Sequence, residues 1–153
     1  MSNRLEHSYG LFIQASPEQV WEALTESRFT TRYFFDSAVQ SDWRVGSPYA
    51  YTSPDGAQVK FDGEIVEADP SRRLLQTLNV KLDPALLNRE PMRLGWKIEP
   101  AGEACLVTIT HEGHEADARV FGMLTSHCEQ LLSGMKTLLE TGKPLRMAQP
   151  AHA

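Results

Sequence analysis

Cysteine is scarce: the 153 residues hold two, Cys105 and Cys128. Both read as small residues inside a strand and a helix, which excludes a disulfide scaffold and fits a reducing cytoplasm. Long apolar runs are missing as well. No stretch approaches the roughly 18 apolar residues of a membrane span. The first ten residues, MSNRLEHSYG, lack the apolar core of an export signal. A basic excess is also missing. Fifteen Lys and Arg stand against twenty Asp and Glu, a formal charge of −5, and the basic residues are scattered. A phosphate backbone would be repelled at long range, so nucleic acid is not an expected partner. No internal repeat, glycine-rich phosphate loop, Ser-His-Asp order or clustered-cysteine motif occurs, and no cofactor is expected.

What remains is enough for one core. Hydrophobic residues make up 41% of the chain, and the length fits one domain. Residues 1–142 read as that domain. Residues 143–153, with two prolines and no periodicity, read as a flexible tail.

The order of elements follows from the pattern. Residues 5–15 carry strand-forming types. A helix then starts at Ser16, a good cap, with Pro17 in the first turn and Glu18 at the positive end of the dipole. Val20, Trp21 and Leu24 share one of its sides. SRFTTRYFF predicts a second short helix, with Phe29, Tyr33 and Phe34 facing inward. Strands follow, punctuated by RVGSP, SPDG, ADPSR and PAGE. PYAYTS and QVKFDGEIVEADP form a hairpin across SPDG. In RRLLQTLNV, the residues Leu74, Leu78 and Val80 share a face with Gln76. Met92, Leu94, Trp96 and Ile98 alternate with Arg93, Lys97 and Glu99. Cys105, Val107, Ile109 and His111 share the apolar side of CLVTITHEG.

A helix of roughly 20 residues closes the chain, from about Ala118 to Glu140. Phe121, Leu124, Cys128, Leu131, Met135 and Leu138 form its apolar stripe, and Gly142 marks its end. The reading is an α+β fold. An antiparallel sheet of six to seven strands curves around one long C-terminal helix, with two short helices after the first strand. A sheet gripping a single helix leaves a gap that makes a pocket.

ITHEGHE, residues 109–115, raises the question of a metal. A zinc-protease motif sets two histidines four apart on a helix. Here His111 and His114 are three apart at a strand end around Gly113, so no metal is expected and the stretch reads as a polar strand end.

ASPEQVWEALT, FDGEIVEADPSRRLLQTL, VTITHEG and LLSGMKTLLETG together resemble the family named for an activator of the heat-shock protein 90 ATPase. That family lies within the SRPBCC or START-like superfamily, which has the helix-grip fold of birch pollen allergen (Bet v 1-like). The resemblance spans roughly residues 8–142 and implies that fold. It leaves function open, because the superfamily holds carriers, receptors, cyclases and co-chaperones. Two departures change the pocket. Relatives often have Gly-Trp where this chain has His127 and Cys128, and Trp-Phe where it has Tyr33 and Phe34.

The expected ligand-contacting residues follow from these faces. Tyr49, Tyr51, Phe61 and Trp96 fall on inner strand faces, as plain core or as pocket lining. Gln76 is a polar group on an apolar face and needs a partner there, from backbone, water or ligand. Leu124, Cys128 and Leu131 are aimed at the sheet by the final helix. The loss of tryptophan at Cys128 implies a side-chain-sized void, unless Trp96 or Trp43 fills it. Cys128 has no neighbouring cation that would make it a nucleophile. His127 beside the stripe and His111 at the cavity mouth could titrate or contact a ligand. The expected function is binding of a small hydrophobic or amphipathic molecule. Two other classes stand beside it. One is a cyclase- or dehydratase-like enzyme in which His111, His127 or a Tyr moves a proton. The other is a co-chaperone-like or regulatory module, with a protein partner or a homodimer.

Overall fold

The computed structural model describes residues 4–81, 91–114 and 118–145. Most of the expected tail lies outside the described residues. The first strand, β1 (Arg4–Ile13), leads into α1 (Pro17–Thr25) and α2 (Ser27–Tyr33). Ser16 caps α1 through a reciprocal box. Its hydroxyl accepts from the Gln19 amide at 3.2 Å, and its own backbone N–H donates to the Gln19 side chain at 2.8 Å. Val20, Ala23 and Leu24 form the buried face of α1. Phe34 is buried after α2, whereas Phe29 and Tyr33 are half-buried. The Arg28 guanidinium lies 4.3 Å from the centre of the Phe29 ring, which keeps that ring near the surface.

Two residues in the left-handed region, Phe35 (φ 50°) and Asp36 (φ 51°), turn the chain out of α2. They lead into β2 (Ala38–Ser41), a strand the sequence pattern did not single out. The meander continues through β3 (Pro48–Thr52), β4 (Val59–Asp69), β5 (Arg73–Val80), β6 (Met92–Ala101) and β7 (Ala104–His114), and α3 (Ala118–Thr141) follows. The described strands form one antiparallel sheet in the order β1-β7-β6-β5-β4-β3-β2. The first strand thus lies beside the last.

Register shifts at Tyr51/Thr52 and Ile65/Glu67 bend the sheet. Gly63 is needed in this bent region. A Cβ there would sit 2.3 Å from the Thr77 carbonyl oxygen, so a side chain would force β4 away from β5.

The inner face follows the period-two alternation. Leu74, Leu78, Leu94, Trp96, Val107 and Ile109 are buried on it. Across from them, α3 buries Leu124, Cys128, Leu131, Leu132, Met135 and Leu138. Each fully buried aliphatic side chain contributes about 1.5–3 kcal/mol. Truncating the fully buried Leu132 to Ala would cost about 2–5 kcal/mol. The helix ends where Gly142 (φ 77°) donates its N–H to the Leu138 carbonyl at 2.8 Å. Its last turns are tied to β1. The Lys136 ammonium donates to the Phe12 carbonyl at 2.7 Å, and Glu140 accepts from the Gln14 N–H at 2.8 Å.

Candidate functional site

A polar row crosses the otherwise apolar inner face. Gln76 on β5 and His111 on β7 both stand opposite Leu94 of β6, and His7 of β1 stands opposite His111. Directly opposed residues share a face. Trp96 lies on that face, one pleat along from Leu94. Gln76 and His111 are fully buried, as are Thr30 and Ser37. The last two are satisfied: Thr30 accepts from the Val39 N–H, and the Ser37 hydroxyl donates to the Phe34 carbonyl. By contrast, both amide atoms of Gln76, Nε1 of Trp96, Nδ1 of His111 and Nε2 of His7 are buried without a hydrogen-bond partner among the described residues. The Gln76 amide comes close enough to Tyr51 to favour its phenolate, but it forms no hydrogen bond of normal geometry there. Burial outweighs that effect and raises the Tyr51 pKa.

His111 is held on two sides. Its Nε2 lies 3.3 Å from the Met92 sulfur, and its ring stacks on Phe121 at 4.6 Å with an interplanar angle of 13°. A thioether only accepts, which places the proton on Nε2 and leaves Nδ1 as an acceptor. Burial, and secondarily His7, push the His111 pKa down to about 4. The imidazole is therefore neutral at neutral pH. His111 was expected at a cavity mouth and instead lies within the wall. β7 runs on to His114, so the ring falls under the first turns of α3. On a strand, residues three apart point to opposite faces, and His114 lies on the other face from His111. Among the described residues, no group of three or more His, Cys, Asp or Glu is arranged to hold a metal.

Beside His111, between sheet and α3, is a cavity of about 20 Å³, room for about one water molecule. The sheet contributes Phe61, Leu78, Leu94 and His111 to its wall. Leu124, His127, Cys128 and Leu131 come from α3, and Phe34 and Phe35 from the turn after α2. Outside, a groove of about 350 Å³ runs between α2 and α3, with Arg32, Asp36 and Gln130 on its rim. Phe35, His127 and Leu131 line both spaces. His127 is fixed by its Nδ1–H, which donates to the Met123 carbonyl at 2.8 Å.

Six of the residues expected from sequence thus share one wall: Phe61, His111, Leu124, His127, Cys128 and Leu131. Tyr49, Tyr51, Gln76 and Trp96 are buried in the adjoining core, off that wall. Tyr51 stacks on Phe34 at 4.1 Å, and the Tyr49 hydroxyl donates to the Thr77 carbonyl. The void expected at Cys128 is water-sized rather than tryptophan-sized. Phe34, Phe35 and Phe61 close it; neither Trp96 nor Trp43 stands on its wall. Sequence reasoning missed Phe35. The available signal was the Phe-Phe-Asp run after a short helix, but nothing in it reveals a left-handed turn. Burial, then Glu129, push the Cys128 thiol up to about 11, so it is no thiolate nucleophile at neutral pH.

A larger hollow of about 750 Å³ lies at the β4–β5 turn, lined by Arg72, Arg73 and Lys97. Ion pairs to Asp69, Glu67 and Glu99 balance those charges. The inner cavity carries the more specific chemistry. Among the described residues, no helix is long and apolar enough to cross a membrane.

An antiparallel seven-stranded sheet on one long C-terminal helix, with two short helices after the first strand, defines a helix-grip protein of the START-like class. The sequence pattern described as Activator of Hsp90 ATPase homolog 1-like protein matches residues 14–140, and the chain belongs to that family. Solved structures share the fold. Protein MLL2253 from Mesorhizobium loti superposes with a TM-score of 0.73 at 19% identity, over 89% of this chain and 97% of that one. CalU16 from Micromonospora echinospora gives 0.69 at 17%, over 94% and 86%. The Aha1 dimer from Colwellia psychrerythraea gives 0.67 at 21%, over 91% and 98%. No curated protein matches the chain.

Proposed function

We propose that the chain holds a small hydrophobic or amphipathic molecule between the sheet and α3. The observation that carries this is the double role of Phe35 and His127, which line the outer groove and the inner cavity alike. A swing of the Phe35 ring joins the two spaces and gives an apolar molecule a path to the concave face. The backbone at this point supports such a role. Left-handed φ at a residue with a side chain costs about 1–2 kcal/mol, and such strain clusters at ligand clamps and switches. Apolar walls with a few polar groups are the usual makeup of a small-molecule site. The cavity admits about one water, so binding anything larger is coupled to its widening.

Native mass spectrometry of the purified protein, together with titration of Nile red, tests this. A co-purifying mass, or one dye bound per chain with Phe35→Ala binding faster, is the expected result. No added mass, and no dye signal from parent or variant, defeats the reading.

The small size of the cavity favours a second reading, a co-chaperone-like interaction module. The Colwellia relative is described as an Aha1 dimer, and a homodimer here would show in sedimentation velocity. The large exposed apolar side chains are Phe12, Val45, Val59, Met123 and Leu145, and an interaction module would need such groups to form one contiguous patch.

A further inference from the structure

Gln76, Trp96 and His111 bury four polar atoms without a protein partner among the described residues. Native cores normally satisfy such groups, because leaving them unmet is costly. The small cavity as it stands cannot serve all three. His111 lines it, but Gln76 and Trp96 do not, and a stable water needs two to four polar partners. Leu94 explains the arrangement. It forms the cavity floor, stands opposite both Gln76 and His111, and lies one pleat from Trp96. A molecule that lifts α3 from the sheet and spreads across Leu94 comes within reach of all three.

The row dictates what such a molecule must carry. Trp96 Nε1–H only donates, and the Gln76 amide both donates and accepts. His111 Nδ1 accepts, since the Met92 sulfur fixes the proton on Nε2. No Lys, Arg, Asp or Glu is buried among the described residues. A carboxylate would meet the Nδ1 lone pair, an ammonium would find no counter-charge, and either would be desolvated at high cost.

We propose that the occupant is an uncharged apolar molecule whose buried end both donates and accepts hydrogen bonds, a phenol or alcohol rather than a carboxylate. This rests on the ligand-binding reading above and assigns its chemical class. Burial supports it further by keeping His111 neutral, with its pKa pushed down to about 4.

The test uses the full chain and three probes of one shape: 2-naphthol, 2-methylnaphthalene and 2-naphthoate. Affinities are read by displacement of Nile red or by calorimetry. In the parent, 2-naphthol should bind about tenfold or more tighter than 2-methylnaphthalene, the factor that one good hydrogen-bonded group supplies. 2-Naphthoate should bind most weakly. In Gln76→Leu and in His111→Phe, the preference for 2-naphthol, read as the ratio of its affinity to that of 2-methylnaphthalene in the same variant, should shrink to within about threefold. Equal binding of 2-naphthol and 2-methylnaphthalene by the parent overturns the proposal and leaves ligand binding standing. So does a preference that survives in both variants, or tight binding of 2-naphthoate. Binding of none of the three overturns the proposal together with the reading beneath it.

Discussion

The rings of Phe35 and His127 lie 5.3 Å apart and tilted by 46°, one from the turn after α2 and one from α3. The pair separates the outer groove from the cavity over Leu94. Phe35→Ala should therefore join the two spaces. We expect Nile red to associate faster with the variant, measured by stopped-flow fluorescence. Because Phe35 is only partly buried, the stability loss should stay below the roughly 3–5 kcal/mol of a fully buried Phe→Ala change. An unchanged association rate would show that entry lies elsewhere.

His111 makes stability depend on pH. Its folded pKa of about 4 lies below the unfolded value of about 6.5. Between those values the unfolded chain binds more protons than the folded one, so stability falls as pH drops from about 6.5 to about 4. The full loss is on the order of 3 kcal/mol. His111→Phe should flatten that part of the profile in urea unfolding at a series of pH values. A parent and variant that lose stability in parallel would show that His111 does not contribute.

Gln76→Leu should stabilise the chain. It removes two buried atoms that find no hydrogen-bond partner among the described residues and keeps a similar shape, which should gain about 1–3 kcal/mol. For a domain of this size each kcal/mol is worth about 2–4 °C in Tm. A fall in Tm would instead mean that the amide is satisfied, with the nearby Tyr51 hydroxyl as its partner.

Cys128→Trp should destabilise. The cavity at Cys128 is about 20 Å³, too little for an indole. Phe34, Phe35 and Phe61 already occupy the space that a tryptophan would take. Overpacking should cost about 1–3 kcal/mol, read as a lower urea midpoint at an unchanged slope. A variant as stable as the parent would show that α3 shifts outward with little strain.

Periodicity, caps and turn residues placed most of this fold. Ser16, Pro17 and the Val20–Leu24 spacing specified α1, because capping and apolar periodicity are local. Alternation from Met92 to Ile98 and the stripe from Phe121 to Leu138 identified the inward faces of β6 and α3, and every residue of the two except the half-buried Phe121 is buried. The bare acceptor on His111 depends on Met92, nineteen residues away in sequence, and on the stacked Phe121. The wall that joins Phe35 to His127 depends on two left-handed residues whose conformation no residue type announces. The cavity is small because three phenylalanines from two elements converge beside Cys128. Side-chain pattern along one element is a local property of the chain. The volume left between elements and the partners of a buried polar atom are set by residues far apart in sequence, so only the packed tertiary structure decided them.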